Sequence, residues 1–454
     1  MLKILLLLAA TTAFAQTAYQ SLARDVLKEL IEINTTDTTG DNTRAAVAMA
    51  ARFRKAGYPE ADVKVLGPQP RKGNVVVRLR GTGSAKPVLF IGHLDVVEAL
   101  RSDWSVDPFK LIEESGFFYG RGTQDTKGND AMLVAAFLRM KEGDFRPSRD
   151  LILALTADEE GGPANGVDWL VTQHRDLIDA EYCINTDGGG GLLKNNKPIA
   201  LVMDAAEKIF LSFKLEVIDA GGHSSVPTKA NPILRLSDAL SRLGKFDFPV
   251  HLFDVTRSYF ESSASLRGGQ DGEDMKHLVQ NPTDPAVIAR LSATPLFNAT
   301  LRTTCVPTQL SGGHAENALP QLASATVNCR ILPVENPDDI QKTLEGVLAD
   351  PTIKISRLAE PVLAQQKPMD PKVVKLVKDT SQKIWPDVPM VIDMATGGSD
   401  GLYLLRAGMP VYNTGGLWID EKELRMHSRD ERISAKWFDQ GADFIYELVT
   451  AVGR

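Results

Sequence analysis

Three consecutive carboxylates stand where an apolar run of the chain ends. The run covers residues 151–157 and is followed by Asp158, Glu159 and Glu160. A run of this kind predicts a buried strand, and charge at its end is costly unless a cation compensates it. Adjacent side chains of an extended strand point to opposite faces, so we expect Glu159 and Glu160 to have different roles. The expected cation is a metal ion.

Other residues that can bind a metal ion stand in comparable positions. Four of them follow apolar runs or lie in a Gly-rich loop ahead of a predicted helix, namely His93, Asp95, Asp125 and Asp187. Ligands at the carboxyl ends of strands are typical of open α/β sheets, so these side chains are expected to lie close together. His427 stands among charged residues before the last predicted helix, and by itself it would pass as a surface residue.

Imidazole and carboxylate ligands in this number predict a pair of divalent metal ions. Imidazole favours Zn²⁺, although Co²⁺ or Mn²⁺ would accept the same ligands. A shared carboxylate could bridge the two ions, and such a centre could activate water.

The elements that must position these residues alternate between strand and helix up to about residue 206. This rhythm is typical of a mostly parallel sheet in an α/β domain. Residues 209–217 then largely alternate apolar and polar side chains, as a half-exposed antiparallel strand does. The alternation of strands and helices returns after residue 333. The prediction is therefore an α/β fold with a smaller inserted α+β domain, divided as residues 16–206, 207–333 and 334–454.

Composition and the first residues indicate where the protein works. The chain has 454 residues and a formal net charge of −7 without a basic run, which argues against nucleic acid as a partner. Residues 1–15 combine one Lys, a short apolar run and a small-residue cleavage site, which predicts a signal peptide and export to the periplasm or the medium. The alternative is a buried amino-terminal helix. No later run approaches the roughly 20 apolar residues of a membrane anchor.

The three cysteines are too few for a disulfide-rich fold and argue against a Cys-based zinc site. Cys305 and Cys329 lie in two stretches that read as strands, whereas Cys183 lies apart from them. If the two strands pair, an exported protein could form a disulfide between them. The sequence leaves that bond open.

Taken together, the motifs resemble the dizinc exopeptidase and deacylase family that includes carboxypeptidase G, aminoacylase, succinyl-diaminopimelate desuccinylase, carnosinase and carboxypeptidase S. The resemblance covers nearly the whole chain after residue 15. It rests on the order of these segments: Gly92-His93-Leu94-Asp95, Tyr119-Gly120-Arg121-Gly122 leading to Asp125, Asp158-Glu159-Glu160-Gly161, Thr186-Asp187-Gly188, Gly222-His223-Ser224-Ser225, Asn317 with Pro320, Gly397-Gly398-Ser399-Asp400, and His427.

The resemblance implies a ligand set for two metal ions. Asp125 would bridge both ions. His93 and Asp187 would complete one site, and Glu160 and His427 the other.

Two further carboxylates receive supporting roles from the resemblance. Asp95 would orient His93 and raise its basicity. Glu159 would be the general base that deprotonates water and later protonates the leaving amine. Asp158 is left with either a supporting hydrogen bond or a solvated position.

In the inserted domain, which the resemblance implies is a ferredoxin-like lid and dimerisation domain, His223 would stabilise the oxyanion, often across a dimer interface. The alternative for His223 is a plain turn residue beside two glycines. Asn317, Arg330 and Ser399 resemble substrate-binding positions, while Arg330 could equally make a structural salt bridge. The resemblance allows a homodimer through the inserted domain, although the long excursion at residues 258–281 departs from compact members.

The predicted function is that of a zinc-dependent metallopeptidase or amidohydrolase that cleaves an amide bond next to a free carboxylate. Asp187 stands where desuccinylases and carboxypeptidase G have Glu, which resembles the carnosinase and carboxypeptidase S branches and favours a dipeptide, a C-terminal residue or an N-acyl amino acid as substrate. The alternatives are an aminopeptidase of similar fold and a non-catalytic exported solute-binding protein. Glu159 distinguishes an enzyme from a solute-binding protein, because a binding protein needs no free base beside a filled metal site.

Overall fold

The computed structural model describes residues 17–229, 231–364 and 369–454. The predicted signal peptide at residues 1–15 lies outside the described residues. Among the helices in the described ranges, none is both long and apolar enough to span a membrane.

Helices and strands make up most of the described residues. The helices are α1 (Ala18–Glu32), α2 (Asn42–Lys55), α3 (Lys127–Glu142), α4 (Gly166–Gln173), α5 (Arg175–Ile178), α6 (Pro232–Leu243), α7 (Asp254–Arg267), α8 (Gly269–Gln280), α9 (Pro285–Ser292), α10 (Pro295–Leu301), α11 (Pro337–Leu348), α12 (Pro371–Ile384), α13 (Gly401–Arg406) and α14 (Ala435–Gly453). The strands are β1 (Val63–Leu66), β2 (Asn74–Leu79), β3 (Ala85–His93), β4 (Ile112–Glu114), β5 (Phe117–Tyr119), β6 (Arg149–Thr156), β7 (Tyr182–Asn185), β8 (Gly190–Lys194), β9 (Lys197–Glu207), β10 (Ile209–Ile218), β11 (Gly222–His223), β12 (Thr304–Gly312), β13 (Ala318–Leu319), β14 (Leu322–Ile331), β15 (Lys354–Arg357), β16 (Met390–Ala395), β17 (Val411–Asn413), β18 (Trp418–Asp420) and β19 (Arg432–Ser434).

A large mixed sheet forms the centre of the molecule. Its strand order is β1-β2-β6-β3-β7-β17-β9-β8-β18, with β16 also paired to β9. The central strands β6, β3, β7 and β17 are mutually parallel. In β3, Phe90 packs in the core with α3 and α14, whereas Leu89 packs on the opposite face with α4 and α13. Both faces are covered, which explains why the central strands read as continuous apolar runs. The predicted α/β fold is confirmed.

The inserted domain has the predicted ferredoxin-like form. Its elements follow the order β10, α6, β12, β14, α11, β15, and they build an antiparallel sheet of order β12-β14-β10-β15. The helices α6 and α11 share one apolar core with this sheet. Because α11 and β15 complete the domain, the predicted boundary at residue 333 falls before two of its elements. Residues after 333 were assigned to the large domain because the segment from Pro333 to Pro337 resembles a linker.

The excursion predicted at residues 258–281 is helical. It lies mainly in α7 and α8, which with α9 and α10 form a helical segment between α6 and β12. This segment packs on the large sheet, where Phe260 and Leu278 share a core with Ala200 of β9 and Val391 of β16. The segment therefore belongs to the inserted region in sequence but to the large domain in packing.

A disulfide joins Cys305 and Cys329. The two residues face each other across the antiparallel pair β12 and β14, as the strand prediction requires. Cys183 is a free, buried thiol in β7.

Candidate metal centre

The candidate ligands meet where three parallel strands end. In the sheet register His93, the last residue of β3, lies beside Thr156, the last of β6, and Ile91 of β3 lies beside Asn185, the last of β7. The segments that follow these strands therefore leave the sheet at one edge, as expected for an open α/β fold.

Asp125 lies between the two histidines of the centre. Its Oδ1 is 3.1 Å from Nε2 of His93, and its Oδ2 is 3.1 Å from Nε2 of His427. The two oxygens of one carboxylate thus face two different imidazoles. This is the arrangement that a ligand shared by two metal ions requires.

Each histidine has a second carboxylate of its own. His93 Nε2 lies 3.6 Å from Oδ1 of Asp187, and His427 Nε2 lies 2.9 Å from Oε2 of Glu160. The pairing predicted from the family resemblance therefore coincides with the spatial pairing. Glu159 is the remaining carboxylate, with its Oε2 4.0 Å from Nε2 of His93.

The donor atoms fit a pair of divalent ions. Among the described residues, two groups of three have ligand atoms within 4.8 Å of one another, one of His93, Glu159 and Asp187 and one of His93, Asp125 and Glu160. Imidazole nitrogen and carboxylate oxygen are ligands of zinc and related metals. Neither group includes His427, but Asp125 and Glu160 of the second group lie 3.1 and 2.9 Å from it, so the cluster also offers ligand atoms for a second ion.

The charges of the centre depend strongly on one another. Burial opposes protonation of His93, but Asp187, Asp125 and Asp95 together raise its pKa well above the usual value. Hydrogen bonds with Asp125 and Glu160 raise the pKa of His427 to about 10. Burial raises the pKa of Asp187 to about 6, and burial with Asp187 nearby raises that of Glu159 well above its usual value. Metal binding must therefore displace protons from both imidazoles.

Asp95 contributes to the centre in two ways, only one of which was predicted. Nδ1 of His93 lies 3.0 Å from the backbone oxygen of Asp95 and 3.6 Å from its carboxylate. Because a carbonyl oxygen can only accept, Nδ1 carries the proton of this hydrogen bond, and Nε2 of the neutral ring is free to bind a metal. The Asp95 carboxylate accepts hydrogen bonds from the backbone N–H groups of Glu159 and Glu160 at 3.2 and 2.9 Å. The orientation of His93 thus depends chiefly on the carbonyl group.

Glu159 and Glu160 have different partners, but not because adjacent side chains alternate along a strand. β6 ends at Thr156, and Asp158 has a left-handed backbone with φ of 62°. The two glutamates therefore follow a turn and do not alternate along a strand, and both side chains reach the centre. The turn at Asp158 therefore gives Glu159 and Glu160 their different partners.

Asp158 anchors that turn. It is 2% exposed, and Nζ of Lys72, 9% exposed, donates to its carboxylate at 2.5 Å. Lys72 also binds Asp37 at 2.6 Å, and the backbone N–H of Ala164 donates to Asp158 at 3.3 Å. Of the two roles left open for Asp158, the supporting one is correct. Lys72 was missed, because nothing in the sequence relates residue 72 to residue 158.

Replacing Lys72 with Met should lower the free energy of unfolding by about 3 kcal/mol, because a buried carboxylate would lose its cation. Urea denaturation followed by circular dichroism measures the change. Lys64→Met, at an exposed position of β1, is the control and should change stability by less than about 0.5 kcal/mol. An equal effect of the two substitutions would contradict the anchoring role.

Three other predicted site residues belong to the inserted domain. His223 is exposed in the short pair β11 and β13, and its Nδ1 is 2.8 Å from Oγ of Ser225. Asn317, also exposed, accepts a hydrogen bond from Ser224 through its backbone oxygen. Neither residue belongs to the groups of candidate ligands found in the described ranges. Arg330 packs over the ring of Phe210 at 4.7 Å and interacts electrostatically with Glu159.

Ser399 does not present free donors for a substrate anion. Its backbone N–H and its hydroxyl both donate to the carboxylate of Glu207, at 2.8 and 2.6 Å. Glu207 is buried and also accepts a hydrogen bond from Asn413. Both donors that Ser399 could offer to a substrate are therefore taken by an internal carboxylate.

The sequence suggested that the charged segment around His427 is exposed, but only part of it is. His427 itself is about half exposed, with a left-handed φ of 59°. Glu431 is 0% exposed. Nothing in the sequence set Glu431 apart from its charged neighbours, so charge alone indicated a surface position.

The comparisons with known proteins agree with this geometry. A family model described as peptidase family M20/M25/M40 matches residues 89–451. The human N-fatty-acyl-amino acid synthase/hydrolase PM20D1 is 28% identical over 379 residues, which cover 81% of this chain and 74% of that protein. A probable carboxypeptidase S-like protein of Dictyostelium discoideum is 29% identical over 380 residues, covering 81% and 72% of the two chains.

A solved structure shows the same fold over nearly the whole chain. It is the M20 family metallo-carboxypeptidase Sso-CP2 from Sulfolobus solfataricus, with a TM-score of 0.70, 18% identity, and coverage of 95% of this chain and 99% of that one. Because the family model covers most of the sequence and includes every candidate ligand, the chain belongs to peptidase family M20/M25/M40.

Proposed function

We propose that the protein is a two-metal hydrolase that cleaves an amide or peptide bond next to a free carboxylate. The observation that carries the proposal is the position of Asp125 between His93 and His427, each of which has a further carboxylate of its own. Zn²⁺ is the proposed metal, since two imidazoles are among the ligands. When bound, the ions supply Lewis-acid activation of water and of the substrate carbonyl.

Glu159 is the proposed proton-transfer group. It lies beside the candidate ligands, and its pKa is raised by burial and by Asp187. A carboxyl group whose pKa is raised can accept a proton and later return it. Glu159 would take the proton of the attacking water and deliver it to the nitrogen of the leaving amine. Asp95 holds the backbone N–H groups of residues 159 and 160 and thereby fixes this carboxylate.

Arg330 is the proposed partner of the substrate carboxylate. It projects from β14 of the inserted domain, and its guanidinium packs over Phe210 and interacts with Glu159. The names of the human and Dictyostelium relatives support a substrate that ends in an amino acid with a free carboxylate. An N-acyl amino acid is therefore the leading substrate class, and a dipeptide is the second.

Replacing Arg330 with Ala should raise KM for an N-acyl amino acid by about 10- to 100-fold, because a charge-assisted hydrogen bond contributes roughly 1.5–3 kcal/mol. Steady-state kinetics with the free acid and with its C-terminal amide measures the change. The wild type should discriminate against the amide, whereas the variant should treat both substrates alike. Arg357→Ala, in the neighbouring part of the same sheet, is the control and should retain the discrimination. A variant that still prefers the acid would contradict this role.

A single experiment tests the proposed function. Dipeptides, N-acyl amino acids and amino-terminal peptide substrates are offered to the protein after metal analysis by mass spectrometry. Release of a free amino acid from the carboxyl side, dependent on two bound ions, is the expected result. Cleavage only of substrates with a free amine would favour the aminopeptidase alternative, and binding without turnover would favour a receptor.

His223 and the inserted domain support a further proposal, a homodimer in which His223 of one chain serves the centre of the other. His223 is exposed and makes its hydrogen bonds with Ser225. The edge strand β12 exposes Val306 and Leu310, at 53% and 66%, next to a row of backbone groups that a second strand can pair with. A fully active monomer in sedimentation and kinetic measurements at the same concentration would reject the dimer.

Export is proposed on the sequence of residues 1–15 alone. Mass spectrometry of the protein recovered from the producing cells decides it. An amino terminus at or near residue 16 in the exported fraction is the expected result.

A further inference from the structure

Glu431 is a buried carboxylate whose two oxygens are both fully used. Oε2 accepts from the guanidinium of Arg121 at 2.7 Å and from the backbone N–H of Gly122 at 3.1 Å. Oε1 accepts from the backbone N–H groups of Gln124 and Asp125 at 2.6 and 3.2 Å. The side chain therefore binds the whole segment that ends in Asp125. Glu431 is not a solvated surface charge, because it is 0% exposed.

Glu431 joins two segments that are distant in sequence. It lies four residues after His427, in the segment that leads into β19, and its backbone oxygen accepts from Gly120 at 3.1 Å. Gln124 makes a second connection, donating to the backbone oxygens of Glu423 and Arg432, both at 2.7 Å. The loop that carries His427 is thereby tied to the loop that carries Asp125.

The connection matters because His427 lies in a loop. Its side chain is 55% exposed, and its backbone has a left-handed φ of 59°. Asp125, its neighbour at 3.1 Å, stands at the end of a Gly-rich loop. Neither ligand candidate lies on a helix or strand, so the distance between them depends on contacts between loops.

We propose that Glu431 is a positioning residue that presets the distance between Asp125 and His427, and so determines the affinity of the metal ion that these two residues share. The proposal rests on the two-metal function proposed above. It assigns Glu431 no contact with substrate. Its carboxylate holds two ligand-bearing loops in register before an ion arrives, which lowers the cost of ordering them on binding.

An amide at position 431 would break this arrangement. All four groups around the carboxylate are donors, and Gln offers one acceptor oxygen and one NH₂ group. Whichever way the amide turns, its NH₂ faces either the Arg121 and Gly122 donors or the Gln124 and Asp125 donors. Glu431→Gln therefore keeps the size and shape of the side chain but leaves one pair of donors without an acceptor, which separates the two loops at that pair.

Stepwise titration of the metal-depleted full-length protein with Co²⁺, followed by its visible absorption and by calorimetry, tests the proposal. The wild type should bind two ions. Glu431→Gln should bind one ion about 10- to 100-fold more weakly, which is the usual effect of residues that support metal ligands. The apparent KM for substrate should be unchanged at saturating metal. Glu431→Asp, which keeps both acceptor oxygens, should recover part of the affinity and serves as the variant if Glu431→Gln does not fold.

Glu423→Gln is the matched control. Its carboxylate pairs with Arg432 at 2.8 Å in the same segment but touches no backbone N–H of residues 120–125. It should bind both ions as the wild type does. Wild-type affinity in Glu431→Gln, or the same loss in Glu423→Gln, would overturn the positioning role. A wild type that binds fewer than two ions would instead reject the two-metal function itself.

Discussion

Replacing Glu159 with Gln is expected to lower kcat by about 10²- to 10⁴-fold, the usual contribution of a general base, while both metal ions remain bound. Glu159 lies 4.0 Å from His93, further than Asp125 or Asp187, and the turn at Asp158 directs it beside the ligands rather than between the histidines. Gln has the same size but cannot accept a proton. Metal content by mass spectrometry and turnover of an N-acyl amino acid together measure the effect.

Two comparisons make this result specific. Glu160→Gln changes the adjacent residue in the same way, yet Glu160 contacts His427 at 2.9 Å and should lose metal as well as activity. Glu181→Gln alters a surface carboxylate paired with Arg149 and should change neither. Undiminished turnover in Glu159→Gln would remove Glu159 from the mechanism. Loss of metal in that variant would instead make it a ligand.

The sequence predicted most directly the parts of the centre that stand at or just after the ends of strands. His93, Glu160 and Asp187 follow apolar runs, and parallel strands end at a common edge whatever the loops do. Asp125 and His427 lie in loops, and only the order of motifs within the family resemblance placed them. The observed pairing of each histidine with its carboxylate agrees with that placement.

The supporting contacts could not be predicted, because they join residues far apart in sequence. Lys72 meets Asp158 across 86 positions, and Glu431 meets Gln124 across 307. Burial decides their roles, and a charged residue in a loop reads as exposed until the packing around it is known. Ser399 shows the converse, since the resemblance implies that it binds substrate but Glu207 accepts hydrogen bonds from both of its donors.

The extent of the inserted domain was missed for a related reason. Helix α11 spans Pro337–Leu348, but the periodicity of its sequence does not tell which sheet it packs against. The pairing of β10 with β15 and the core that Leu344 shares with Phe213 place α11 in the inserted domain. A Pro-rich segment marked the start of a helix here and not the end of a domain.

Replacing Asp125 with Ala is expected to have the largest effect of any single change, because this carboxylate faces both histidines at 3.1 Å. Affinity for both ions should fall by more than about 100-fold, the upper range for residues that only support ligands. Activity should fall at least as far as the roughly 10⁴-fold limit for loss of a base. Calorimetric titration of the metal-depleted protein with Zn²⁺ measures the affinities.

The contrast with Glu160→Ala shows whether Asp125 is shared. The short contact of Glu160, at 2.9 Å, is with His427 at one of the two proposed ion sites, so its removal should weaken one ion and leave the other near wild-type affinity. Asp179→Ala, which removes an exposed carboxylate paired with Arg175, should affect neither ion. If Asp125→Ala also weakened only one ion, Asp125 would serve a single site, and the two oxygens facing two imidazoles would need another explanation.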